Sequence, residues 1–326
     1  MVHARRRPIY VAGSVLLVVI VALLAPKRES SEPRARYVLT TIDVGRAPAS
    51  IAIDGSTAWL TLSEERAVQR VDLKTSEVVG APIPVGEIPA GIVVEGGSVF
   101  VGFAEGTTLV QLDAATGQVV RDSILVGSSP AALAAGEGSI WVAALGEEKV
   151  ARVAPGGSDA ASDIFSAGGE FPSAVAVGFG SVWVADVVDD SITRIDPARP
   201  RRAQRTIMVG TSPTSIAVDP TGIWVANVGS ENVSRIDPQT NEVVATIPVG
   251  DDIGGIAAGN GYLWVTRAAD DSLVRIDPRT DRLVGARIPV GNNPQGLAVA
   301  PGVVLVANQG DNTITRVDLR GVEESG

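Results

Sequence analysis

The residue types that carry most enzyme chemistry are almost absent from this chain of 326 residues. It contains no cysteine and a single histidine, His3. The lack of Cys excludes disulfides, thiol catalysis and Cys-ligated metal centres. Beyond residue 3 the chain also lacks the side chain that most often acts as a general base or a borderline metal ligand. We therefore predict no catalytic residue, no metal site and no cofactor, and we favour a non-enzymatic function.

Carboxylates and guanidinium groups are the side chains left for binding chemistry. Short acidic segments recur along the chain, and the strongest of them contain eight aspartates that we take as candidates for binding a ligand or partner: Asp186, Asp189, Asp190, Asp251, Asp252, Asp270, Asp271 and Asp311. No EF-hand spacing accompanies them. The alternative hypothesis is that they belong to solvated turns of an acidic protein.

One basic segment offers the opposite chemistry. Residues 197–205 read PARPRRAQR, which places Arg199, Arg201, Arg202 and Arg205 within seven residues. Guanidinium groups bind carboxylates and phosphates through paired hydrogen bonds, so these four are candidates for an anionic ligand. A solvated loop is the alternative.

The elements that must position these residues come from one unit repeated seven times. A VG-x-x-P string or a close variant opens each unit, with its glycine every 40 to 42 residues, at Gly45, Gly86, Gly127, Gly169, Gly210, Gly250 and Gly291. All five tryptophans share one register, at Trp59, Trp141, Trp183, Trp224 and Trp264. A fixed period of this length indicates a repeat architecture.

Each unit contains four short apolar runs, which in the fifth unit cover 215–218, 223–226, 233–236 and 243–248. Runs this short, rich in Val and Ile and bounded by Gly, Pro, Asn and Asp, are typical of β-strands. Four antiparallel strands in about 41 residues form one propeller blade. We predict an all-β fold, a seven-bladed β-propeller of four-stranded blades over residues 36–320. The tryptophans should fill the space between blades, and the Arg of a recurring Arg-Ile-Asp pattern should pair with carboxylates there.

The ends of the propeller predict how the ring closes. The seventh unit stops after three strands, whereas the segment 36–44, RYVLTTIDV, resembles the fourth strand of other units. We expect this segment to complete the last blade as its outer strand, which removes an open sheet edge. The third unit replaces its Asp-Pro-x-Thr turn with Pro155-Gly156-Gly157-Ser158, so we expect its outer strand to be the loosest.

The unit resembles the YVTN-type repeat, which is related to NHL and streptogramin-lyase-like propellers. The residues that carry the likeness are VG-x-x-P, G-x-x-WVAN, V-x-RID and EVVATIPVG, and together they cover residues 36–320. The resemblance implies a propeller that serves as a platform for a ligand or partner, as a sensor ectodomain or, less often, as an enzyme. It also implies a histidine in the active site of the lyases, so no catalytic residue carries over to this chain.

Strand direction predicts that the acidic segments share one face. Antiparallel order places the VG-x-x-P turns and the turns between second and third strands on the same side, where sixteen acidic and four basic residues fall. The negative electrostatic field of this face attracts cations or basic partners and repels phosphate, so nucleic acid binding is disfavoured there.

The N-terminus predicts membrane attachment. Arg5, Arg6 and Arg7 precede an uncharged stretch over residues 9–25, and a polar segment follows at 26–35. The stretch is long enough to cross a bilayer as a helix, and its basic flank indicates a cytoplasmic tail at residues 1–8. We predict a single-pass transmembrane anchor, a linker at 26–35, an extracytoplasmic propeller and a C-terminal tail at 321–326. If the segment is a cleaved signal peptide instead, the propeller is secreted.

Three functions remain open. The leading hypothesis is an exported, membrane-anchored propeller that acts as a ligand-binding or protein-interaction scaffold, with an unknown extracytoplasmic protein or small ligand, basic in character, as partner. The first alternative is a lyase or hydrolase of the streptogramin-lyase-like group that works at the central channel with carboxylates instead of His. The second alternative is a nucleic-acid-binding propeller.

Overall fold

The repeats form seven small antiparallel sheets arranged as the blades of a ring. The structure is a computed structural model that describes residues 37–202 and 204–319. The predicted tail, anchor, linker and C-terminal segment lie outside the described residues, as do the two end positions 36 and 320 of the predicted propeller. Within the described residues, no helix has the length and apolar character needed to cross a membrane.

Twenty-nine strands make up the described sheets. Blade 1 contains β2 (Pro48–Asp54), β3 (Thr57–Leu62), β4 (Ala67–Asp72) and β5 (Glu77–Pro84), and blade 2 contains β6 (Pro89–Glu95), β7 (Ser98–Phe103), β8 (Thr108–Asp113) and β9 (Val119–Leu125). Blade 3 contains β10 (Ala132–Gly136), β11 (Ser139–Ala144), β12 (Lys149–Val153) and β13 (Asp163–Ser166). Blade 4 contains β14 (Pro172–Gly178), β15 (Ser181–Asp186), β16 (Ser191–Ile195) and β17 (Arg205–Met208). A 3-10 turn, Leu145–Glu147, follows β11.

The last three blades follow the same plan. Blade 5 contains β18 (Pro213–Asp219), β19 (Gly222–Asn227), β20 (Asn232–Asp237) and β21 (Glu242–Pro248). Blade 6 contains β22 (Ile253–Gly259), β23 (Tyr262–Arg267), β24 (Ser272–Asp277), β25 (Arg282–Leu283) and β26 (Ile288–Pro289). Blade 7 contains β27 (Pro294–Ala300), β28 (Val303–Asn308) and β29 (Thr313–Asp318), and β1 (Val38–Asp43) completes it. In blade 6 the outer strand is interrupted, because β25 and β26 both pair with β24.

The ring closes as the sequence predicts. The last blade has the strand order β1-β29-β28-β27, and β1 runs antiparallel to β29 from Val38 opposite Asp318 to Asp43 opposite Thr313. The N-terminal strand is thus the outer strand of the final blade, and the edge of β29 is covered.

The core lies between neighbouring blades. All five tryptophans are fully buried. Trp224 of blade 5 packs with Leu263 and Val265 of blade 6, and Trp59 of blade 1 packs with Val99 and Val101 of blade 2. Because strand two of each blade is buried on both sides, it reads as a continuous apolar run.

The irregular third blade is tied to its neighbour. The segment after Pro155 runs beside β9 of blade 2, where Leu125 and Asp159 and then Ala161 and Leu125 are joined by backbone hydrogen bonds of 3.1 and 2.9 Å. The Arg121 guanidinium donates to the carbonyl oxygens of Pro155, Gly157 and Ser158. The turn that breaks the repeat pattern therefore covers an outer strand edge of blade 2.

Candidate functional site

The first strands of the seven blades surround a central cavity of about 410 Å³. Its lining consists of Ala, Gly, Ser, Thr, Gln and aliphatic residues, and contains no Asp, Glu, Lys or Arg. Its polar side chains are those of Ser50, Ser173, Thr214, Ser215, Gln295 and Gln309. A channel lined in this way can admit a small neutral group but has no acid or base for proton transfer.

Gly254 lines this cavity at a position where there is no room for a side chain. A Cβ atom at Gly254 would collide with the Pro294 carbonyl oxygen of blade 7, and one at Gly91 would collide with the Ala131 carbonyl oxygen of blade 3. The close approach that glycine permits is therefore between the inner strands of adjacent blades.

The acidic turns are built around a repeated hydrogen bond. In four blades a carboxylate of the turn between the second and third strands accepts the backbone N–H that follows the VG glycine. The pairs are Glu65 with Arg46 at 2.8 Å, Glu147 with Ser128 at 3.0 Å, Asp189 with Glu170 at 2.8 Å and Asp311 with Asn292 at 2.9 Å. In blade 5 the Ser230 hydroxyl takes this role for Thr211, at 3.0 Å. These side chains hold the two kinds of turn side by side.

A second set of bonds joins one blade to the next on the same face. Asp190 of blade 4 accepts the Ser212 N–H of blade 5 at 2.8 Å, and Asp271 of blade 6 accepts the Asn293 N–H of blade 7 at 2.9 Å. Asn312 of the last blade does the same for Ala47 of the first, at 2.8 Å. Asp190 and Asp271 therefore stabilise the ring, whatever else they bind.

Asp270, Asp251 and Asp252 complete the predicted aspartates on this face. Asp270 accepts from Arg287 at 2.5 Å and lies 3.4 Å from Arg267, so its charge is neutralised within blade 6. Asp251 and Asp252 are exposed. A hydrogen bond between Asp251 and Glu231, together with their like charge, raises the pKa of Glu231.

Asp186 differs from the other seven because it is fully buried. Burial raises its pKa to about 7, the charge of Asp189 adds to the rise, and a hydrogen bond from the Thr193 hydroxyl at 2.8 Å opposes it. Asn227 and Asn308 occupy the same position in blades 5 and 7, and each donates to a hydroxyl seven residues later. Asp186 thus stands where two other blades use a neutral amide.

The predicted basic loop is partly paired within the protein. Arg201 bonds to the Asp163 carboxylate and to the Ile164 carbonyl oxygen of blade 3. Arg201 and Arg202 line a cavity of about 350 Å³ beside Phe165 and Gln204. Arg199 is exposed and lies outside that lining, and Arg205 sits on β17 opposite Arg194. The structure therefore brings two of the four arginines together.

The predicted pairing of arginines with carboxylates between blades was largely wrong. The Arg of the Arg-Ile-Asp pattern does reach the next blade, but it meets mainly carbonyl oxygens. Arg152 donates to the Pro197 carbonyl at 3.3 Å and Arg194 to the Pro238 carbonyl at 2.6 Å, whereas Arg235 alone in this set reaches a carboxylate of the next blade, that of Asp281, at 2.9 Å. The cause is geometric, because the next turn presents its backbone to the arginine.

Sequence reasoning missed a cavity of about 410 Å³ on the face opposite the acidic turns. It lies between blades 1 and 2 and is lined by Asp54, Thr57, Arg70, Asp72, Val79, Gly97, Ala114 and Ala115. The sequence signal was Gly117, which stands where three other blades have Ser76, Asn241 and Asp281. Across residues 37–202 and 204–319, no group of three or more Asp, Glu or His side chains is placed to hold a metal ion.

Solved structures with the same architecture include two streptogramin B lyases. Virginiamycin B lyase from Staphylococcus aureus is 14% identical, with a TM-score of 0.73 over 87% of this chain and 99% of that chain. A structure described as streptogramin B lyase is 15% identical, with a TM-score of 0.73 over 86% and 97% of the two chains. BamB from Moraxella catarrhalis is 13% identical, with a TM-score of 0.59 over 84% and 86%.

At these identities the likeness shows the fold alone, a seven-bladed β-propeller. No protein-family model matches the chain, and no curated protein matches it. A further Staphylococcus aureus structure holds quinupristin in a virginiamycin B lyase made catalytically inactive by changing a histidine to alanine. The present chain has its one histidine at position 3.

Proposed function

We propose that this protein is a binding platform, an exported propeller whose acidic face recruits a basic segment of a partner protein. The single observation that carries the proposal is the fixed acidic face. Its turns are held by repeated side-chain bonds, and further carboxylates at Glu87, Glu105 and Glu170 remain exposed with no side-chain bond among the described residues. Preorganised charges of one sign steer and bind partners of the opposite sign. The membrane anchor at residues 9–25 is part of the proposal and would present the face outside the cell.

Two features support binding over catalysis. The central cavity has no ionisable lining residue. Among the residues that the structure describes, Asp186 is the one carboxyl with a strongly shifted pKa, and it is fully buried within blade 4. A lyase of the streptogramin type is the second candidate, favoured by the shared fold alone. Incubation with quinupristin should leave that compound unchanged on chromatography, and conversion by the purified protein would favour the lyase instead.

Some of the aspartates on this face are poor choices for testing binding, because they also hold the ring together. Asp271 accepts a backbone N–H from blade 7, and Asp270 pairs with two arginines. A loss of binding after changing them could reflect altered turns. Glu87, Glu105 and Glu170 offer the same charge without those bonds.

The test compares two triple variants of equal charge change. Glu87→Gln/Glu105→Gln/Glu170→Gln removes charge from the acidic face. Glu77→Gln/Glu137→Gln/Glu242→Gln removes it from the opposite face. A fluorescent ten-residue oligolysine should bind the wild type with an affinity that falls steeply with salt, because exposed charges are screened over about 8 Å at 0.15 M ionic strength.

Only the first triple variant should weaken oligolysine binding, by about tenfold. Equal weakening by both variants would mean attraction to net charge without a defined face. Binding insensitive to salt would contradict the proposal. A labelled single-stranded DNA should bind neither face.

A further inference from the structure

The cavity between blades 1 and 2 contains an arginine that has lost the partners its counterparts have. The Arg70 side chain makes no hydrogen bond or ion pair within the described residues, and its Nε atom is buried without an acceptor. Its guanidinium lies over the Trp59 ring, 5.6 Å from the ring centroid. A buried donor without an acceptor is costly, by about 1–3 kcal/mol.

Other blades supply an acceptor from one turn position. The turn after the third strand closes with a backbone bond from Ser76 to Asp72, from Asn241 to Asp237 and from Asp281 to Asp277. The side chains of these closing residues then accept from the arginine of the preceding blade, at 3.3 Å for Ser76, 2.7 Å for Asn241 and 2.9 Å for Asp281.

Blade 2 has glycine at this turn position. Gly117 makes the same backbone bond, to Asp113 at 2.8 Å, but carries no side chain for Arg70. A Cβ atom at Gly117 would lie 3.5 Å from Nη1 of Arg70 and 2.9 Å from Cδ1 of Ile83. A side chain here would therefore grow beside the guanidinium once the tip of Ile83 shifts. Where other blades place an acceptor side chain beside the arginine, blades 1 and 2 leave an open cavity.

A second donor of blade 1, next to Arg70, is also unsatisfied. The indole N–H of Trp224 donates to Asp219 at 2.9 Å, and those of Trp141, Trp183 and Trp264 each donate to a carbonyl oxygen at 3.0 Å. The Trp59 indole N–H, beneath Arg70, is buried without an acceptor. Arg70 lines the cavity and Trp59 does not, so the arginine is the donor that a bound acceptor reaches.

The carboxylates of the cavity define the rest of the ligand. The Asp54 carboxylate makes no hydrogen bond or ion pair within the described residues, and Asp72 uses Oδ1 to accept the Lys74 N–H at 2.7 Å. Two carboxylates beside one arginine repel a simple anion. A molecule with a carboxylate and an ammonium group satisfies both signs, and Val79, Ala114 and Ala115 provide contact for a short apolar part.

We propose that this cavity binds a small amphoteric molecule of the α-amino acid class. Its carboxylate accepts from Arg70, as the Asp281 carboxylate of blade 6 accepts from Arg235 of blade 5. Its ammonium group faces Asp54 and Asp72. The site is on the face opposite the acidic turns, so it is independent of the partner-binding function proposed above.

The experiment titrates the full chain with alanine, leucine and lysine by calorimetry. At least one should bind. For that amino acid, the amide that lacks the carboxylate and the acid that lacks the amino group should each bind about tenfold more weakly or worse. Absence of binding by all three amino acids, or equal binding of the acid without its amino group, would overturn the proposal.

Two variants test the residues. Arg70→Gln should abolish binding and still fold, since Gln111 occupies this position in blade 2. Gly117→Asp should abolish binding and raise the melting temperature, because it supplies the missing acceptor. Gly117→Asn serves if the aspartate disturbs the turn. The φ of 77° at Gly117 lies in the same left-handed region as the φ of 59° at Asn241.

Arg152→Gln is the matched control, because Arg152 already bonds to Ser139 and Pro197. Binding in this variant should equal that of the wild type. Binding that survives in Arg70→Gln, or that is lost equally in Arg152→Gln, would contradict the assignment of the carboxylate to Arg70.

Discussion

At the scale of single residues, Trp224 illustrates how the repeat is packed. The ring is fully buried between blades 5 and 6, its indole N–H donates to Asp219 at 2.9 Å, and the Arg235 guanidinium lies 5.3 Å above it. Trp224→Ala should lower the free energy of unfolding by about 3–5 kcal/mol, the usual cost of emptying a large core position. Urea unfolding measures it, and a loss below about 1 kcal/mol would mean that this ring is not a core residue.

A milder variant provides the comparison. Blade 2 uses Phe100 in the tryptophan register, and that ring is also fully buried. Trp224→Phe should therefore cost clearly less than Trp224→Ala.

Asp186 should make stability depend on pH. Its folded pKa is about 7, whereas that of Asp in an unfolded chain is about 3.9. The folded protein keeps this proton between those values while the unfolded chain releases it. The stabilisation from the bound proton is complete below about pH 4 and is lost as the pH rises through about 7.

Asp186→Asn should remove this pH dependence. At pH 8 it should stabilise the protein, by about 2–4 kcal/mol, since Asn is neutral and blades 5 and 7 use Asn at the same position. At pH 4 the difference should be small. Urea unfolding from pH 4 to 8 measures it, with the exposed Asp252→Asn as the control. Identical pH profiles for Asp186→Asn and wild type would show that Asp186 is not the titrating group.

At the scale of elements, the bonds between blades connect the ring on both faces. Arg235 of blade 5 donates to both oxygens of Asp281 in blade 6, at 2.9 and 3.1 Å. A double-mutant cycle of Arg235→Gln and Asp281→Asn should give a coupling energy of about 1–2 kcal/mol, typical of a partly buried charged hydrogen bond. The pair Arg70→Gln and Asp281→Asn should be additive, since these residues share no contact. Additivity in both cycles would contradict the inter-blade role of Arg235.

The closing strand is the other element to test. β1 forms six register pairs with β29, and the Val44 N–H donates to the Asn312 carbonyl at 3.0 Å. A chain that begins at Ala47 should melt roughly 10 °C or more below one that begins at Glu32, or should aggregate through the exposed edge of β29. Calorimetry and light scattering measure the two outcomes. Equal melting temperatures would refute closure by β1.

At the scale of the whole molecule, the ring separates its charges between two faces. The turns of the acidic face carry carboxylates at close spacing, and like charges gathered in this way destabilise the folded state. Raising NaCl from 10 to 500 mM should therefore increase the melting temperature, because screening becomes effective within a few ångströms. The increase should be smaller for Glu87→Gln/Glu105→Gln/Glu170→Gln than for the triple variant of the opposite face. A melting temperature independent of salt would mean that the face carries no significant repulsion.

Much of this architecture could be predicted from the chain alone. A period near 41 residues, one tryptophan register and an incomplete last unit were sufficient to predict seven blades, the buried rings and closure by the N-terminal strand. The reason is that each blade buries the same apolar positions against its neighbours, so the repeated apolar pattern of the sequence determines the packing.

The candidate sites depended on contacts that a linear pattern does not show. Similar-looking acidic residues divide into bonded ones such as Asp190, exposed ones such as Asp252 and a buried one, Asp186, because each faces a different neighbouring turn. The same holds for Arg70. In sequence it is one more Arg-Val-Asp copy, and only the approach of Gly117 across the blade boundary leaves it without an acceptor. The sequence by itself determined the repeated fold, whereas the tertiary structure decided which copies are satisfied within the ring and which remain free to bind.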